Sequence, residues 1–139
     1  MIVLDTNIIS EMLTPMPQKT VEAWLGALPP SSVFTTTITQ AEVLYGLRLL
    51  PDGRRRRDLE AAILPIFEDD FAGRILPFDS DAANAYALLA SGRRRAGRPI
   101  SQFDAQIAAI TISRGAKLAT RNVDDFADVG LTLINPWNG

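Results

Sequence analysis

Six oxygen-bearing side chains stand out for where they fall: Asp5, Glu42, Asp104, Asn122, Asp124 and Asp125. Asp5 closes the opening run Met1-Ile2-Val3-Leu4, whose bulky aliphatic residues read as a strand buried on both faces of a parallel sheet. Glu42, in Thr39-Gln40-Ala41-Glu42, opens a helical pattern just after a second strand-like stretch. Asp104, in Ser101-Gln102-Phe103-Asp104, opens another after the loop around Pro99. Asn122, Asp124 and Asp125 follow a strand pattern that ends at Thr120. Each lies at a strand end or in a first helical turn. In a parallel sheet those places share one edge, where ligands of open α/β folds sit. Three or four oxygen ligands gathered there suit one or two hard divalent cations.

The rest of the composition narrows the chemistry. The 139 residues contain no histidine and no cysteine. Ser-His-Asp and Cys-His catalysis, His/Cys zinc sites and imidazole acid–base work are thereby excluded. Reactions must run on carboxylates, hydroxyls, amides, Lys and Arg, and the cation of choice is Mg2+ or Mn2+. No apolar run reaches the ~18 residues of a membrane span. The first residues enter a strand with neither a basic region nor a cleavage signal, so a cytoplasmic protein is expected. The net charge of −2 conceals two arginine clusters, Arg54–Arg57 and Arg93-Arg94-Arg95 with Arg98. Such clusters are either solvated helix faces or sites for phosphate and carboxylate groups, which suit the planar fork of arginine.

The elements that must position the acids alternate along one domain, residues 1–139. After the first strand, Thr6 is placed to cap a short helix carrying Ile8, Ile9, Met12 and Leu13, stopped by Pro15 and Pro17. Val21, Trp24, Leu25 and Leu28 stripe a second helix. Ser32–Thr36 is a strand, followed by a helix through Val43, Leu44, Leu47 and Leu50. A helix from Arg54 to Phe71 should kink or split at Pro65. Arg74–Phe78 is a short strand, and Pro77 puts it at a sheet edge or at its own end. Asp79–Ser91 is helical, with Ala83, Tyr86, Ala87 and Leu89 or Ala90 inward. Phe103, Ile107 and Ile110 stripe a helix that ends near Gly115. Lys117–Thr120 and Leu131–Ile134 complete the strands, with a helical turn at Asp124–Phe126 between them. This alternation implies a three-layer α/β/α sandwich on a mainly parallel, roughly five-stranded sheet.

The acids have a competing explanation. Thr39-x-x-Glu42, Ser101-x-x-Asp104 and Asn122-x-x-Asp125 all have the form of a helix-capping box, in which the acid bonds back to the cap residue. Asp5 ends a buried strand and opens no such box, so its burial calls for a cation or several donors. Thr6 and Asn7 are candidate donors. Two other classes stay open on these residues. One is a non-catalytic module that binds a protein or nucleic acid. The other is a phosphoryl-transfer or receiver-like domain built on Asp5, although Asn7 stands where a phosphatase carries its second acid. Trp24, Leu25 and Tyr45 are expected in the core.

Taken together, several stretches of the chain resemble a PIN domain. They are Ile2-Val3-Leu4-Asp5-Thr6-Asn7, Thr39-Gln40-Ala41-Glu42-Val43-Leu44-Tyr45-Gly46, Phe103-Asp104-Ala105-Gln106-Ile107-Ala108-Ala109 and Leu118-Ala119-Thr120-Arg121-Asn122-Val123-Asp124-Asp125-Phe126. More narrowly, and with the closing Asn135-Pro136-Trp137, they are similar to the toxin nucleases of bacterial VapBC and FitAB toxin–antitoxin pairs. The resemblance implies a Mg2+- or Mn2+-dependent endoribonuclease, a homodimer, and inhibition by a separately encoded small antitoxin that also binds DNA and builds a higher assembly. Asp5, Glu42 and Asp104 match the family's three acids and are expected to hold metal and to act in catalysis. Where many relatives carry a fourth acid this chain has Asn122, with Asp124 two residues on; Asp124 is taken as the fourth catalytic position. Thr6, Asn7, Thr120 and Asn122 are expected in support.

The implied reaction is hydrolysis of an RNA phosphodiester by a metal-activated water attacking in line. Products with a 5′-phosphate and a 3′-hydroxyl are implied by the resemblance. An acidic cleft repels a phosphate backbone unless basic residues flank it. Arg93, Arg94, Arg95 and Arg98, just before the Asp104 helix, are the expected RNA contacts, and Arg54–Arg57 are left between RNA and antitoxin.

Overall fold

Val3 and Leu4 leave the same strand in opposite directions, and each is fully buried in a different core. A strand has a side-chain period of two, so a run of consecutive apolar residues is stable only with both faces covered. The computed structural model, which describes Met1–Asn138, has that architecture. Five strands, β1 (Ile2–Leu4), β2 (Val33–Thr36), β3 (Ile75–Leu76), β4 (Lys117–Ala119) and β5 (Leu133–Ile134), form one sheet in the order β3-β2-β1-β4-β5. Every pairing is parallel, with Val3 opposite Phe34 on one side and Leu118 on the other. β3 is an edge strand, and Pro77 follows it directly, so both readings of that proline apply.

Helices α1 (Thr6–Met12), α2 (Lys19–Gly26), α3 (Thr37–Arg48) and α4 (Arg54–Pro65) belong to one layer. Leu4, Ile8, Ile9, Val21, Leu47, Ile63 and Phe67 form its core. Helices α5 (Ser80–Arg95) and α6 (Gln102–Ser113) form the other layer, with Val3, Ala82, Leu89, Ala105, Ile107, Ala108, Ile110 and Leu118 between them and the sheet. Each fully buried Leu or Ile contributes roughly 1.5–3 kcal/mol of transfer free energy. Pro65 ends α4, and the chain continues as a single wide turn over Ile66–Asp70, so the long helix splits as its proline requires.

Four helix details depart from the sequence reading. α5 runs four residues past Ser91, because it ends at Gly97 (φ 76°), where the Gly97 N–H bonds Arg94 O and the Arg98 N–H bonds Arg93 O. The first arginine cluster residues after Ser91 are therefore the last helical turn. The inward stripe of α5 is Ala82, Ala85, Tyr86, Leu89 and Arg93, while Ala83 and Ala87 face out. Alanines are small enough to sit on either face, so their spacing misplaces the stripe. Phe103 is 53% exposed, since the first turn of α6 projects beyond the sheet; Ile107 and Ile110 carry the buried stripe. Tyr45, expected in the core, is 66% exposed on α3.

Candidate active site

β1 is the central strand: the chain runs outward from it through β2 to β3 on one side, then crosses back to β4 and β5 on the other. That makes its carboxyl end the switch point of the sheet, where a crevice opens. Asp5 sits there, only 4% exposed. Its main-chain N–H still bonds Ala119 O (2.9 Å), so the carboxylate is held at the sheet edge by the strand ladder. One carboxylate oxygen accepts the Thr6 N–H (2.8 Å). The other accepts the Thr120 hydroxyl (2.8 Å) and the Asn7 side-chain amide (3.2 Å). Asp5, and not Thr6, is the cap of α1. The expectation that Thr6 caps this helix is thus corrected: one Asp5 oxygen does so, and the other is held by Thr120 and Asn7.

Glu42 departs from the capping explanation. α3 begins at Thr37, capped by Thr36, whose hydroxyl accepts the Thr39 N–H (3.1 Å). Glu42 therefore lies beyond the first turn, too far along to bond the cap. It accepts instead the Thr6 hydroxyl from α1 (2.8 Å). Thr6 lies 3.1 Å from the Thr39 hydroxyl as well, and because its own proton goes to Glu42, Thr39 must donate to it. This relay fixes the Glu42 carboxylate against the first turn of α1. Asp104 keeps its cap: the Ser101 hydroxyl accepts the Asp104 N–H (3.2 Å), which leaves the half-buried carboxylate facing the cleft. The third box is not formed. Asn122 makes no side-chain cap to the Val123–Phe126 turn, and its N–H bonds the Thr120 hydroxyl (3.0 Å).

The resulting cleft, about 430 Å3, is lined by Asp5, Thr6, Asn7, Glu42, Asp104 and Asn122. Glu11, Arg121 and Trp137 complete its wall, together with Ser10 and Thr14. Burial pushes the Asp5 carboxyl up to about 6 against the hydrogen bonds of Thr120 and Thr6, and the charges of Asp104 and Glu42 push the same way. Asp104 is also raised, first by burial and then by the charge of Asp125, with the Ser101 hydroxyl opposing.

A set of oxygen donors that resists carrying its own negative charge is neutralised by a proton or by a hard cation. Among the described residues no three acids form a ready cage. A cation here would take one or two carboxylates and keep water elsewhere, the coordination Mg2+ prefers. The residues fit such an ion.

Asp124 is exposed and lies outside the cleft wall, where Asn122 stands instead. The short turn after Thr120 places Asn122 in the cleft wall and leaves Asp124 exposed outside it. Arg93 is not a surface residue: it is 7% exposed and donates to Arg98 O (2.7 Å), Asp125 O (3.0 Å) and Ala127 O (3.0 Å). It holds the turn after Asn122 in place, and its guanidinium is consumed in doing so. Arg98 pairs with Asp128 (2.7 Å), while Arg94 and Arg95 are exposed in the last turn of α5. None of the four lines the cleft.

Five wall residues were missed: Ser10, Glu11, Thr14, Arg121 and Trp137. Glu11 is one helical turn from Asn7, a spacing that places both on one face of α1. Arg121 directly follows Thr120, and Trp137 follows β5, whose carboxyl end shares the site's edge. The signal for both was their position after a strand.

Residues 2–131 match the family described as PIN domain. The chain is 41% identical over 141 residues to the VapC ribonuclease Y4jK of Sinorhizobium fredii, covering 99% of this chain and 98% of that protein. It is similar to the crystal structure of FitAcB from Neisseria gonorrhoeae, with a TM-score of 0.90, 37% identity and all of both chains covered. A structure of FitAB bound to an IR36 DNA fragment gives a TM-score of 0.88 at 40% identity, covering 99% of this chain and 96% of that one. With a parallel sheet of this order and a cleft of acids at its switch point, the chain belongs to the PIN-domain family, among relatives of the VapC and FitB type.

Proposed function

We propose that this chain is a single nuclease domain over residues 1–139, a Mg2+- or Mn2+-dependent endoribonuclease that serves as the toxin of a toxin–antitoxin pair. The observation that carries the reading is the convergence of Asp5, Glu42 and Asp104, from three separate elements, on one cleft. Glu42 is there for no capping reason, and its orientation by Thr6 supports a chemical role.

Asp5 and Asp104 are the groups to hold the cation, with Glu42 nearby and the Asn122 carbonyl as a neutral ligand. When bound, the cation supplies Lewis acidity to a water and to a phosphate oxygen. With no histidine in the chain, a carboxylate must receive the proton that the attacking water releases; Glu42, half-buried and held by Thr6, is placed for it. Water adds to phosphorus, the bond to the 3′ oxygen breaks, and that oxygen leaves as a hydroxyl once protonated. Thr120 and Asn7 keep Asp5 aimed at the reacting groups.

The partners follow from the relatives named VapC and FitB and from the complexes FitAcB and FitAB. A small DNA-binding antitoxin is the proposed inhibitor. A hollow of about 760 Å3 between α1 and α4 supports it, since Leu13, Pro15 and Leu59 offer apolar contact and Arg54 and Arg55 offer charge. A homodimer is proposed as well, supported by the exposed aromatic pair Tyr45 and Phe103 beside Glu42. Among the described residues no helix is long and apolar enough to cross a membrane; a cytoplasmic site of action is proposed as part of the toxin reading, from the relatives named VapC ribonuclease.

The test is cleavage of a mixed RNA pool by the purified protein with Mg2+, with Mn2+ and with a chelator, beside an Asp104→Asn protein of matched thermal stability. Metal-dependent cutting abolished by the substitution is expected. Equal behaviour of the two proteins, free of antitoxin, would return the acids to a structural role.

A further inference from the structure

Four carboxylates line the cleft, and Arg121 is the cation among its wall residues. Its guanidinium carbon lies 5.1 Å from the centre of the Trp137 ring, in cation–π contact. The two come together because β4 and β5 pair in parallel, with Ala119 opposite Ile134, so both chains leave the sheet at the edge where Asp5 stands. The Thr120 N–H bonds Ile134 O (2.9 Å), and the Arg121 N–H bonds the Asn7 side-chain carbonyl (3.3 Å), which fixes the backbone beneath the guanidinium. Trp137 in turn packs on the α1–α4 core, and its backbone N–H bonds the Asn135 side chain (3.0 Å). The ring is thus an anchored platform under an exposed cation. The ion pairs among the described residues use other arginines. A cation–π contact with the ring leaves the guanidinium's N–H donors free of any carboxylate among the described residues, and their fork is what binds phosphate.

We propose that Arg121, held over the Trp137 ring, binds a phosphate of the RNA beside the scissile bond, and that Trp137 is its positioning residue. This rests on the ribonuclease reading above. It assigns the electrostatic steering of the backbone to the cleft itself and not to the α5 arginine cluster. A phosphate entering among four acids needs a fixed positive charge at the rim, and Arg121 is the group the wall provides. A flexible lysine would give charge without the planar fork.

The experiment measures binding of a fluorescein-labelled single-stranded RNA dodecamer to the full chain carrying Asp104→Asn, by anisotropy across a range of salt. Each phosphate contact contributes about 0.7 to the slope of log K against log salt for single strands. Arg121→Gln should lower the slope by that amount and weaken binding about tenfold at low salt. Arg121→Lys should keep the slope while lowering the cleavage rate in the Asp104 protein. Trp137→Phe, which keeps a ring, should resemble the parent, and Trp137→Leu should approach Arg121→Gln. An Arg94→Gln, Arg95→Gln protein serves as the comparison and should change little. An unchanged slope in Arg121→Gln, with the parent binding RNA, would overturn the inference and leave Arg121 to a protein partner. A parent that binds no RNA would overturn the ribonuclease reading and this inference with it.

Discussion

Thr120 donates its hydroxyl to Asp5 at 2.8 Å across 115 residues of chain, and the same oxygen accepts the Asn122 N–H and the Asn7 side-chain amide. A single buried hydroxyl therefore joins β1, β4, α1 and the turn that carries Asn122. Thr120→Val keeps the shape but leaves two donors and a carboxylate oxygen short of a partner. A stability loss of about 1–3 kcal/mol is expected, with cleavage reduced more than the melting shift explains. Thr120→Ser should recover most of both. Denaturant melts of the two proteins, read beside their cleavage rates, check this.

The pH dependence of stability should report Asp5. Its carboxyl titrates at about 6 in the fold against an ordinary 3.8, so the folded state keeps a proton the unfolded chain has lost. Its stabilising contribution is complete below pH 3.8 and is lost as pH rises through about 6, on the order of 3 kcal/mol in all. Asp5→Asn should melt higher than the parent at pH 8 and alike near pH 4. Millimolar Mg2+ should raise the parent's melting point at pH 8 and leave Asp5→Asn unmoved. A lower melting point for Asp5→Asn at every pH would refute this account.

The Thr6 relay predicts a separation of binding from turnover. Thr6→Val removes the donor that aims Glu42 without altering charge in the cleft. A kcat loss on the order of tenfold or more with little change in KM is expected, less severe than for Glu42→Gln. Thr6→Ser should be close to the parent. Steady-state kinetics on a defined RNA decide it, and a pure KM effect would rule the relay out.

Arg93 should behave as a structural residue. Arg93→Met deprives three carbonyls of their donor and frees the turn after Asn122. A loss of about 2–3 kcal/mol is expected, with the salt dependence of RNA binding unchanged. Chemical denaturation and anisotropy on the same preparation test both halves.

Asn122 and Asp124 can be told apart by cation affinity. Asn122→Asp adds a charge to the cleft wall and should tighten Mg2+ about tenfold in titration calorimetry. Asp124→Asn, outside the wall, should leave the affinity within about twofold.

Local chemistry in the sequence determined the elements and most of the cluster. The double-faced burial of Val3 and Leu4 implied a central parallel strand. Pro65 split a helix where a missing N–H must. The strand ends named Asp5, Glu42 and Asp104 as candidates sharing one edge. Other features depend on how neighbouring elements meet, and local pattern is silent on that. The start of α3 at Thr37 freed Glu42 from its capping box, a choice made by Thr36, whose hydroxyl caps at Thr39 while Thr39 turns its own to Thr6. The inward turn of Arg93 came from three carbonyls that approach it only in the fold. Alanine spacing on α5 could not tell Ala82 from Ala83, since a methyl group fits either face. Asn122 displaced Asp124 because a short turn fixes which residue lines the cleft. Arg121 and Trp137, 16 positions apart, became neighbours only when β4 and β5 paired in register. Charge and hydropathy are properties of residues, and pairing is a property of the whole chain.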